Sequence, residues 1–75
     1  FLDTARIYSD WVPGELGRGE RIVGDWLAAR RNRRQIVLAT KGGHHALDGR
    51  YDNRVIRSEV ARDLDRSLRA LRVDW

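Results

Sequence analysis

Cysteine and methionine are absent from these 75 residues, proline occurs once, at Pro13, and lysine occurs once, at Lys41. Without cysteine there are no disulfides and no thiolate metal sites, which fits a reducing, cytoplasmic setting. With no methionine and Phe1 at its head, the sequence is expected to be an internal piece of a longer protein. No stretch approaches the ~18 consecutive apolar residues that a membrane-crossing helix needs. The opening Phe1-Leu2-Asp3-Thr4-Ala5-Arg6 lacks the basic-then-apolar order of a secretory signal, so no membrane association is expected. A large excess of one charge is also lacking: the formal net charge is +4, with 11 acidic residues interspersed among the arginines. An excess that mild does not mark a nucleic-acid binder.

What is present alternates in a regular way. Phe1 to Ala5 reads as the end of a buried strand, and Arg6 to Gly19, holding Pro13, Gly14, Gly17 and Gly19, reads as a long loop. From Glu20 the apolar residues Ile22, Val23, Trp26 and Leu27 share one helical face, with Glu20 in the first turn and Arg30-Arg31 near the last to suit the helix dipole. Gln35 to Thr40 contains the run Ile36-Val37-Leu38-Ala39, too short for a helix and ended by Gly42-Gly43; such runs belong to parallel strands covered on both faces. His44 to Asn53 is turn-rich.

Val60, Leu64, Leu68 and Leu71 then recur at helical spacing, the strongest periodic signal in the chain. On that helix Glu59 can meet Arg62, Asp63 can meet Arg66 and Asp65 can meet Arg69, which predicts a solvated outer face. Strand, helix, strand, helix implies an α/β architecture of βαβα type with a parallel sheet and right-handed crossovers. Val73-Asp74-Trp75 is expected to lead into a third strand.

The chemistry sits where strands give way to loops. Asp3 and Lys41 both occupy such positions, so in neighbouring parallel strands they fall at the carboxyl end of the sheet, where ~4.8 Å between strands lets a carboxylate and an ammonium pair. Tyr8 follows on the loop leaving the first strand. A free phenol, with a pKa of about 10, is a poor acid at neutral pH. A nearby ammonium favours its phenolate, which predicts a tyrosine able to give a proton to a carbonyl oxygen as hydride reaches the carbon. That Lys41 is the only lysine in an arginine-rich chain strengthens the reading, because a guanidinium substitutes poorly for a compact ammonium.

These residues also carry a family resemblance. Asp3-Thr4-Ala5 with Tyr8 resembles the aldo-keto reductase segment D-T-A-x-x-Y. Gly17 to Leu27 is similar to the family's G-x-S-E-x-x-I-G-x-W-L helix. Ile36 to Lys41 resembles its lysine-bearing strand, and Ser67 to Asp74 its S-L-x-x-L-x-x-D. Tyr8 to Gly14, with Trp11 and Pro13, looks like a bacterial branch of the family.

The resemblance implies that the chain is part of a (β/α)8 TIM barrel, about two βα units forming one stretch, 1–75, of a single domain. It further implies catalytic roles for Asp3 as lysine partner, Tyr8 as proton donor and Lys41 as cation, with Asp3 also at the cofactor and Trp11 lining the substrate pocket. NADPH is the implied hydride source and a small aldehyde or ketone the substrate. Gly19 departs from the usual Ser and Ile56 from the usual Ser cap, and the family's catalytic histidine is expected on a strand after Asp74.

Plainer and rival readings accompany these. Asp3 alone would read as a loop cap. His44 and His45, adjacent in a loop, are expected to point in different directions and lack further ligands for a metal. Arg30 to Arg34 reads as a solvated helix end rather than a phosphate or RNA site, Trp26 as helix core, and Gly42-Gly43 as room for the backbone to turn. The rival functions are a Schiff-base lysine at Lys41 in an aldolase-like barrel and a non-catalytic nucleotide- or nucleic-acid-binding module.

Overall fold

The computed structural model describes residues 1–75. It is an α/β piece in which two short parallel strands, β1 (Leu2–Asp3) and β2 (Leu38–Ala39), alternate with two helices, α1 (Arg18–Arg30) and α2 (Arg57–Leu71). Leu2 stands level with Leu38 and Asp3 with Ala39. The ladder extends past the strands proper: the amides of Leu2, Thr4 and Arg6 donate to the carbonyls of Val37, Ala39 and Lys41 at 2.8, 2.9 and 3.0 Å. This evenly slanted pattern is that of a parallel pair.

The segment between β1 and α1 is a chain of tight turns. Backbone bonds close from Tyr8 to Ala5, Asp10 to Ile7, Val12 to Ser9 and Glu15 to Val12. Asp10 ties the two ends together, for its Oδ1 accepts the Gly17 amide at 2.7 Å and its other oxygen lies 3.2 Å from Arg6. Gly17, at φ 70°, is the residue before α1, a left-handed position suited to glycine. The helix therefore begins two residues ahead of the expected Glu20 and ends in a left-handed Arg31, whose amide reaches Leu27 O at 2.8 Å.

After a 3₁₀ turn at Arg33–Gln35 comes β2, shorter than the predicted Gln35–Thr40 because Gln35 belongs to the turn and only β1 flanks it. Val37 is exposed rather than covered. Val73-Asp74-Trp75 carry no regular structure; the Arg33 guanidinium lies 3.7 Å over the Trp75 ring and donates to its carbonyl oxygen.

The helices meet at Gly24. A Cβ on that residue would fall 2.3 Å from Ala70 O and 2.9 Å from Leu71 Cα, so the two backbones approach as closely as a missing side chain permits. The buried face of α2 is Asp63, Ser67 and Leu71. Of the apolar stripe read from the spacing, Leu71 is buried, whereas Val60 is 42% and Leu64 55% exposed. The expected Asp63–Arg66 pair is absent: the Asp63 carboxylate turns inward to accept the Gly43 amide at 2.8 Å and Arg54 at 3.1 Å. Of the predicted helix-surface pairs, Glu59 and Arg62 do meet, at 3.2 Å. Trp26 is likewise partly exposed, on the side of α1 that faces away from α2 with Ile22. The end of α2 closes on a left-handed Arg72, with the Val73 amide donating to Leu68 O in a Schellman-type closure. No helix is long and apolar enough to cross a membrane.

Candidate active site

The parallel register determines where the polar rim residues fall. Asp3 is level with Ala39, and Lys41, two residues further along, shares the face of Ala39 because side chains alternate along a strand. Lys41 thus stands just above Asp3, and its Nζ donates to Asp3 Oδ1 at 2.8 Å and to the Thr4 carbonyl at 2.8 Å. Both side chains are about half exposed, 53% for Lys41 and 51% for Asp3. The ammonium is therefore fixed by two acceptors yet reachable from solvent.

The hydrogen bond to Asp3 holds the Lys41 amine above its ordinary 10.5, against a smaller opposing effect of desolvation, with the Asp3 charge and the neighbouring Tyr8 adding in the same direction. Lys41 Nζ also lies 5.4 Å from the centre of the Tyr8 ring. The first tight turn after β1, closed by the bond from the Tyr8 amide to Ala5 O, folds the tyrosine back over the rim. A carboxylate, an ammonium and a phenol drawn from positions 3, 41 and 8 thus share one end of the sheet. Chemically such a set can deliver a proton and stabilise the charge left behind.

Trp11 stands exposed in the turns after Tyr8. His44 and His45 do not diverge as expected: their rings lie 4.2 Å apart, and the Tyr51 ring meets His45 edge-on at 4.6 Å. The loop that carries them is strapped to α2 by Arg54, which donates to His44 O at 2.7 Å, to Glu59 at 2.8 Å and to Asp63. Arg54 and Glu59 hold each other in their charged forms, the arginine raised and the glutamate lowered by their mutual hydrogen bond.

Sequence reasoning missed two contacts behind the rim. Glu20, fully buried, accepts a hydrogen bond from Thr40 Oγ1 at 2.7 Å. Gly19 packs on Tyr8 so closely that a Cβ there would lie 3.0 Å from the Tyr8 Cβ. The available signals were Glu20 opening an apolar helix face, to which a dipole role was given, and Gly19, placed in the loop and noted as a departure from the family's Ser; neither reading included these contacts.

The chain has relatives of known name. It is 44% identical over 41 residues to a protein named aryl-alcohol dehydrogenase [NADP(+)] from Phanerodontia chrysosporium, a match covering 55% of this chain and 9% of that protein. It is 46% identical over 41 residues to norsolorinic acid reductase from Aspergillus flavus, again covering 55% of this chain and 9% of the relative. A third relative, an uncharacterized 11.2 kDa protein from Pseudescherichia vulneris, is 48% identical over 44 residues, 56% of this chain and 43% of the relative. The chain thus spans less than half the length of each of these relatives. No solved structure matches it. The pattern of the Aldo/keto reductase family, in contrast, matches residues 1–75, the whole sequence, and on that ground the chain belongs to the aldo/keto reductase family.

Proposed function

We propose that these residues are one stretch of a single (β/α)8 barrel domain whose whole protein is an NADPH-dependent oxidoreductase reducing small aldehydes or ketones to alcohols. The observation that carries the reading is the Lys41 ammonium, held on Asp3 at 2.8 Å and set 5.4 Å from the Tyr8 ring at the carboxyl end of two parallel strands. In barrels of this type the carboxyl end is where chemistry is found. Membership of the family and the names of two relatives, one NADP(+)-linked dehydrogenase and one reductase, support the same reading.

Each residue takes one task. Tyr8 holds the proton and gives it to the carbonyl oxygen of the substrate. Lys41 stabilises the negative charge that develops on the phenolic oxygen as the proton leaves. Asp3 holds Lys41 charged and aimed, and Trp11, exposed in the turns that follow Tyr8, borders the mouth where the substrate enters.

The residues present fit the reactive end of a nicotinamide cofactor: a half-exposed carboxylate and ammonium on the rim suit an amide or ribose hydroxyl, and Asp3 is the residue to hold it. When bound, the reduced nicotinamide supplies the hydride.

The raised Lys41 amine argues against the Schiff-base alternative, since a nucleophilic lysine needs its neutral form and hence a lowered value. In the full-length protein, oxidation of NADPH with a panel of aldehydes tests the proposal. Tyr8→Phe is expected to lower kcat by roughly 10²–10⁴, the share general acid catalysis supplies. An unchanged rate would remove Tyr8 as the donor and the reading with it.

A further inference from the structure

Glu20 is the one large side chain sealed completely from solvent, at 0% exposure. Its Oε1 is occupied by Thr40 Oγ1, while Oε2 has no partner. Burying a carboxylate with one oxygen unsatisfied is costly compared with an apolar side chain of similar volume. Packing alone therefore does not account for a glutamate at this place. The bond has a geometric consequence: Thr40 directly precedes Lys41, and successive strand residues point to opposite faces. Glu20 thus anchors, from the helix side, the backbone that carries Lys41 on the rim side.

The preceding residue contacts the other half of the site. A Cβ on Gly19 would lie 3.0 Å from the Cβ of Tyr8 and 3.2 Å from its carbonyl oxygen, so the Tyr8 backbone rests directly on the first turn of α1. Two consecutive residues of one rigid turn therefore touch the residue bearing the phenol and the residue next to the amine. The proton donor and its cation come from separate segments, 33 positions apart by subtraction of 8 from 41, and this turn is a common reference for both.

We infer that Gly19 and Glu20 are positioning residues: the first turn of α1 sets the spacing between the Tyr8 phenol and the Lys41 ammonium, Glu20 acting through Thr40 and Gly19 through the Tyr8 backbone. The inference rests on the reductase reading and adds to it the element that holds the donor and its cation in register.

The test uses the full-length protein. Glu20→Ala and Thr40→Val break the same bond, so each lowers kcat, by roughly tenfold for a misplacement well under 1 Å. KM for NADPH stays unchanged, and the double variant is no worse than either single one, as coupled partners require. Glu20→Gln keeps an acceptor for Thr40 Oγ1 and restores most of the rate. A second readout does not depend on turnover: the Lys41 Nζ resonance, assigned by its loss in Lys41→Arg, titrates at lower pH in Thr40→Val because the Asp3 contact loosens. Gly19→Ala lowers kcat from the phenol side.

Thr40→Val is nearly isosteric and carries the test if Glu20→Ala does not fold. A Thr40→Val protein with parental kcat and parental Lys41 titration overturns the inference. So does a double variant whose losses multiply, or a fully active Gly19→Ala. These results are distinguishable from failure of the reductase reading, which shows as an active Tyr8→Phe. If Tyr8→Phe is dead while Thr40→Val is untouched, the positioning inference alone falls.

Discussion

Lys41 gains from Asp3 a charge-assisted hydrogen bond that only its protonated form can donate, so its amine is held above 10.5. A group whose folded value is raised contributes stability that is fully present below its unfolded value and is lost as pH rises through the folded one. The Asp3–Lys41 contact is therefore intact through neutrality and fails only in strong alkali. Asp3→Asn removes the first cause of the shift, so the Lys41 Nζ titration should move down toward 10.5, measured by nitrogen NMR on the labelled protein. The alkaline fall in kcat should move down with it. A titration unmoved by Asp3→Asn would mean that the Thr4 carbonyl, at the same 2.8 Å, holds the amine instead.

Between elements, the structure relies on a close helix crossing and on one strap. At the crossing, Gly24→Ala places a methyl group 2.3 Å from Ala70 O, against backbone that cannot swing aside. In the full-length protein we expect a loss of about 1–3 kcal/mol, in the range of overpacking, read as a lower urea midpoint with the slope unchanged. At the strap, burial pushes the Asp63 carboxyl up, but the Gly43 amide and Arg54 together pull it below its ordinary 3.8, while Arg54 pulls Glu59 below 4.5. Depressed carboxyls contribute stability present above the unfolded values and lost as pH falls through the folded ones. Acid should therefore free the loop that carries His44 and His45. In Arg54→Ala the stability falls, and its dependence on pH in the acid range flattens; hydrogen exchange at the Gly43 amide reports both.

Very different shares of this were legible beforehand. Asp3, Tyr8 and Lys41 could be placed together because strand ends and short spacings determine height along a parallel sheet. The face that α2 buries could not. Helical spacing put Val60 and Leu64 on one stripe correctly, but spacing does not say what lies opposite, and none of the 75 residues covers them. Asp63 was assigned to the surface because Arg66 is a local partner, whereas its actual partners, Gly43 and Arg54, are 20 and 9 positions away on a loop with no period to read.

For the whole molecule the decisive quantity is how little is buried. Nine of 75 residues are buried, and among them only Ala5, Leu27 and Leu71 are apolar side chains of the core. Fully burying a large aliphatic side chain stabilises by about 1.5–3 kcal/mol, whereas ordering the backbone costs about 1–2 kcal/mol for every residue fixed. Only Leu27 and Leu71 are side chains of that kind, Ala5 being a single methyl, so little apolar burial stands against the ordering of the chain. Meanwhile Leu2, Ile22, Val23 and Trp26 line an apolar hollow on one side, and Val60 and Leu64 stand out on the other. The two-stranded sheet has both outer edges unpaired, an arrangement marginal in water and open to pairing with other chains. These are the surfaces that further βα units of a proposed barrel of roughly 250 residues would cover. Residues 1–75 expressed alone should therefore give a broad thermal transition by circular dichroism, sediment as concentration-dependent oligomers and reduce no aldehyde. A sharp melt from a species that stays monomeric on dilution and concentration would show that this piece holds itself together, and would end the argument that its exposed apolar faces await the rest of a barrel.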